Sequence, residues 1–117
     1  MRTPPARRRY CAAVSAGATD DERWLVVHGR RWRRTDPGLP EDVATALRSH
    51  LGSARATVGA ASRRGDEAAV AAARQRVGTA KHGLGERGPK WWEEPLEARI
   101  ERARAALAEL DEGAAAP

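Results

Sequence analysis

Phenylalanine is absent from this 117-residue chain, and cysteine, methionine, tyrosine and isoleucine occur once each. Without Phe, the large apolar side chains reduce to eight Leu, seven Val and four Trp, and alanine supplies much of the rest. Such a chain makes one domain with a modest core, and therefore modest stability or a partner that covers one face. The single cysteine, Cys11, excludes an internal disulfide framework and any zinc site built from several thiolates. No apolar run approaches the ~20 residues that cross a bilayer, so no membrane segment is expected. His28, His50 and His82 share no ligand spacing, and no nucleophile stands beside a base. A metal centre, a bound cofactor and catalysis are not expected.

What is present is arginine. The net charge is +5, with 21 Lys and Arg against 16 Asp and Glu. Residues 1–34 hold nine Arg against three acids, whereas residues 65–117 hold eight basic residues against ten acids. A polyanion partner is one reading of the basic end. The coding bias of a GC-rich genome is the other, since Arg greatly outnumbers Lys. Arg7-Arg8-Arg9 followed by Tyr10–Val14 imitates a signal peptide, but the apolar stretch is weak and soon meets Asp20-Asp21-Glu22. Residues 1–22 are expected to be a disordered basic tail, and the protein to be cytoplasmic.

A single small domain is expected over 23–112, followed by a frayed tail at 113–117. Trp24–Arg33 reads as a β-hairpin, with His28-Gly29 as its two-residue turn. That turn pairs Val27 with Arg30, Val26 with Arg31, Leu25 with Trp32 and Trp24 with Arg33. Leu25, Val27, Arg30 and Trp32 then share one face, expected to be the core side, and Arg31 and Arg33 are expected in solvent. Three helices follow, at about 40–62, 66–84 and 95–111. Their apolar stripes are Val43/Leu47/Leu51/Ala54/Val58/Ala61, Val70/Ala73/Val77/Ala80/Leu84 and Leu96/Ile100/Ala103/Leu107/Leu110. Pro40 suits the first position of the first helix and Asp66 caps the second. The fold class is mainly α: an N-terminal hairpin packed on a helical hairpin plus a third helix. Dimerisation of the helical hairpin stays open as another way to close the core.

Two motifs invite a functional reading. Gly83-Leu84-Gly85-Glu86-Arg87-Gly88 matches the dinucleotide pattern GxGxxG by letter, but it follows a helical stripe instead of a strand. Gly85 or Gly88 is therefore expected as a left-handed helix cap. Trp91-Trp92 lies where the chain reverses. One indole is expected to plug the bundle beside the hairpin and the other to stay exposed as an anchor for a protein partner. The alternative site is nucleic-acid binding, with Arg30, Arg31, Arg33 and Arg34 on phosphates and Trp24 stacking on a base. A non-catalytic module with a protein partner is the leading expectation, with nucleic acid second.

The segment Trp24–Trp92 also resembles a family of small bacterial proteins commonly labelled Tol-type biopolymer transporters. The carrying residues are Gly29-Arg30-Arg31-Trp32-Arg33, Thr35-Asp36-Pro37, Pro40-Glu41, Ala80-Lys81 through Leu84-Gly85-Glu86-Arg87-Gly88, and Trp91-Trp92. The long Arg-rich start departs from that pattern. The resemblance implies no established activity, cofactor or site, and transport is not carried over to a chain without a membrane-length apolar run.

Overall fold

Residues 20–115 are described by the structure, a computed structural model. A single helical turn, α1 (Asp20–Arg23), leads into an antiparallel hairpin of β1 (Trp24–Val27) and β2 (Arg30–Arg33). Three long helices follow: α2 (Glu41–Arg64), α3 (Glu67–Leu84) and α4 (Leu96–Ala115). A 3-10 turn at Trp91–Glu93 precedes α4. The architecture is mainly helical, as the stripes imply. The basic tail assigned to 1–22 lies outside the described residues, except that its last three residues begin α1.

The hairpin forms in the expected register. His28 (φ 54°) and Gly29 (φ 77°) both take the left-handed conformation, which matches the turn to the right-handed twist of the strands. Pro40 is the N-cap of α2 and not its first helical residue; its carbonyl accepts the Ala44 N–H at 3.0 Å. The Asp66 carboxylate caps α3 by accepting the Ala69 N–H at 3.1 Å. Gly85 (φ 81°) ends α3 as its left-handed cap, so the GxGxxG letters close a helix and do not open one. The tail expected from residue 113 is still helical through Ala115. Alanine after Gly113 favours the helix, and Asp111 is tied to α2 by a 2.8 Å contact with His50.

One continuous core joins α2, α3 and α4 at the hairpin end of the bundle. Leu39, Val43, Leu47, Leu51, Leu84 and Leu110 fill it, with Ala80, Ala103 and Ala106 where helices approach closely. At Gly83 the approach is tightest: a Cβ there would lie 2.8 Å from that of Ala106 and 3.2 Å from the Leu47 methyls. Farther from the hairpin the α2–α3 pair is sealed by Ala54, Ala61 and Ala73, and Val58 and Val70 are only half-buried. Leu96, the first residue of the α4 stripe, is exposed.

Candidate interaction surface

The hairpin touches the bundle with the face opposite to the one its apolar count suggests. Leu25, Val27 and Trp32, expected in the core, are each 40% exposed, and Val26 is 64% exposed. Trp24 and Arg33, on the other face, are the half-buried pair. The reason lies in the loop beneath. Trp24 meets Trp92 edge-on at 5.6 Å, and Arg33 donates to the carbonyls of Gly85 (3.3 Å) and Pro89 (3.0 Å). The end of α3 and the loop after it present carbonyls that need donors, and a guanidinium there also meets the negative end of the helix dipole. Leu25 and Val27 could bury area but donate nothing, and Trp32 offers one N–H where Arg33 offers several.

Trp91 and Trp92 are both buried, at 2% and 8% exposure, so the expected division into one plug and one exposed anchor does not occur. Their rings pack edge-to-face at 5.3 Å, and the Trp91 Nε1–H donates to the Arg34 carbonyl at 3.1 Å. A column of three indoles with a cation at each end results. Arg31 lies over Trp24 (4.1 Å), Trp24 on Trp92, Trp92 on Trp91, and Trp91 beside Arg99 (5.5 Å). Arg23 and Arg33 flank Trp92 at 5.0 and 5.9 Å. These contacts engage part of what a phosphate clamp would use. Trp24 is held between Arg31 and Trp92; Arg33 serves two carbonyls; Arg34 donates to the carbonyls of Asp21 (2.7 Å) and Trp24 (3.1 Å). Partial burial, then the charge of Arg102, lowers the pKa of Arg33 from its ordinary value, and Glu93 opposes the shift.

At the foot of the column lies an ion pair that the sequence reading missed. Arg99 Nε and Nη2 donate to the two Asp36 carboxylate oxygens at 2.8 and 2.6 Å, with side chains only 5% and 1% exposed. Asp36 Oδ1 also accepts the Gly38 N–H at 2.8 Å, and the Asp36 N–H donates to the Leu84 carbonyl at 2.9 Å. Thr35 donates to Glu86 at 2.5 Å. One signal was available: Arg99 falls on the inward stripe of α4, three residues after Leu96 and four before Ala103, where a charge requires a partner.

What remains in solvent is the outer hairpin: Leu25, Val27 and Trp32 on one face, with Val26 at the tip of the other. Arg30 lies over the Trp32 ring at 4.6 Å and Lys81 of α3 approaches it at 5.2 Å. Burial, then the charges of Arg55 and Arg87, lower the pKa of Lys81, with Glu86 opposing. Among the described residues no three His, Cys, Asp or Glu side chains gather as a metal site, and no helix is long and apolar enough to cross a membrane.

No family model, curated protein or solved structure matches this chain. The resemblance drawn above therefore stands on its motif residues alone. The structure does show what several of them do here. Arg33, Thr35, Asp36, Gly85, Glu86, Trp91 and Trp92 meet at one junction and stitch the hairpin to the end of the bundle.

Proposed function

We propose that the chain is a small non-catalytic interaction module, acting in the cytoplasm, that docks a protein partner through the exposed outer end of its β-hairpin. One observation carries the reading. Of the five exposed large apolar side chains among the described residues, four (Leu25, Val26, Val27 and Trp32) belong to the two four-residue strands of this hairpin. A two-stranded hairpin is marginal in water, and apolar side chains kept on a rigidly anchored one are useful only when a partner covers them. Trp32, backed by Arg30 and Lys81, is the aromatic anchor, and the basic rim favours a partner with acidic residues around an apolar centre. Trp91 and Trp92 support the surface from beneath.

A nucleic-acid reading retains the exposed Trp32 between two cations, with Arg31 and Arg34 nearby, but loses Trp24 and Arg33 to internal contacts. Three aliphatic neighbours also suit a protein better than a phosphate backbone. The test places a photo-reactive amino acid at Val26 and, as a control, at the exposed Ser49 of α2. Protein adducts from position 26 alone, resistant to nuclease and lost on Trp32→Ala, are expected. Adducts that vanish with nuclease, or equal adducts from both positions, contradict the proposal. Salt adds a second criterion, since phosphate contacts weaken steeply with ionic strength.

A further inference from the structure

On the flank of the bundle, α3 and α4 diverge around an open groove of about 580 Å³. Small residues make its floor: Gly78 on α3, and Ala105 and Ala106 on α4. Its walls carry three guanidiniums, from Arg74, Arg87 and Arg102, against the single carboxylate of Glu109. Arg87 Nη1 lies beside Gly78, at the ordinary contact distance of 3.5 Å from where a side chain there would begin. Arg102 is paired with Glu94, yet its Nε is buried without an acceptor. Neither Arg74 nor Arg87 forms an ion pair with a described residue. Arg33 lies close enough to Arg102 for their charges to repel, so positive charge continues from the groove toward the foot of the hairpin.

We propose that this groove binds a small phosphorylated molecule. The groove is open, and it offers more room than a bare ion needs. Guanidinium forks match the oxygens of a phosphate group, and Thr79 and Gln75 on the same wall offer hydroxyl and amide groups to the rest of the ligand. Arg87 and Arg102, one from the loop and one from α4, are the phosphate contacts; Arg74 contributes charge at the α3 wall. The site is separate from the hairpin surface and does not depend on it.

The full chain, labelled with ¹⁵N, is titrated with ribose 5-phosphate at fixed ionic strength. Ribose and sodium chloride are the controls, and a short single-stranded oligonucleotide is a further arm. Saturable shifts are expected at Gly78, Thr79, Arg87 and Arg102 with ribose 5-phosphate and with neither control. Arg87→Gln should weaken binding about tenfold or more, as expected for loss of a charge-assisted contact, while the melting curve stays that of the parent. Arg74→Gln, on an exposed position of α3, gives an independent smaller loss. Shifts matched by sodium chloride, or a site unchanged by both substitutions, overturn the proposal. So does tighter binding of the oligonucleotide with shifts centred on Arg30 and Arg31, which assigns the basic surface to a polymer.

Discussion

Replacing Arg99 with methionine tests the junction at its most demanding point. Methionine keeps much of the apolar length of the arginine stem but leaves the Asp36 carboxylate, 1% exposed, with the Gly38 N–H in place of a bidentate guanidinium. Removing one partner of such a buried pair costs about 3–5 kcal/mol, because the remaining charge has lost its compensation. A domain of this size has roughly 5–15 kcal/mol in total. At roughly 4–8 °C per kcal/mol, the melting temperature should fall by at least about 12 °C. Asp36→Asn keeps an acceptor for Gly38 but leaves the buried guanidinium without its counter-charge, and should likewise cost about 3–5 kcal/mol. In the double variant the buried charge is gone from both sides, so its loss should be smaller than the sum of the singles by about 1–3 kcal/mol. Denaturant unfolding followed by tryptophan fluorescence reads all three, with Trp91 5.5 Å from the Arg99 guanidinium as a local reporter. An Arg99→Met variant as stable as the parent, or strictly additive singles, would refute the view that this pair locks the hairpin loop to α4.

Two glycine substitutions separate contact from propensity. Gly83→Ala drives a methyl to within 2.8 Å of the Ala106 Cβ and should cost about 1–3 kcal/mol in thermal melts despite alanine's better helix propensity; unchanged stability contradicts the close α3–α4 approach. Gly52→Ala, in the middle of α2 with nothing within 4 Å, should instead stabilise by about 0.5–1 kcal/mol, and a loss would mean that α2 is not regular there.

The elements themselves were legible because their signals are local. The His28-Gly29 turn sets the hairpin register through one backbone conformation, and the stripes of α2, α3 and α4 follow from helical spacing. Asp66 and Gly85 mark the ends of α3 by capping chemistry. The orientation of the hairpin was not legible, because it depends on which groups the loop below needs. The Gly85 and Pro89 carbonyls select Arg33, and Trp92 selects Trp24, over the more apolar opposite face. The Asp36–Arg99 pair spans 63 residues, and no local pattern names the partner of a charge on an inward stripe. The burial of both Trp91 and Trp92 has the same origin: a 3-10 turn directs adjacent side chains differently from the extended segment that would have left one outside.

In the proposed function the exposed hairpin meets a partner while the Trp91–Trp92 pair only supports it. Comparing Trp32→Ala with Trp92→Ala, in melting temperature and in adduct yield from the photo-reactive group at position 26, tests it most directly. Trp32 is 40% exposed, so its replacement should leave melting within a few degrees of the parent, on the order of 1 kcal/mol or less, and abolish the adducts. Trp92, which touches Trp24, Trp91, Arg23 and Arg33, should cost about 3–5 kcal/mol on truncation. A Trp92→Ala protein that melts like the parent but loses its adducts, beside a Trp32→Ala protein that keeps them, would contradict the account.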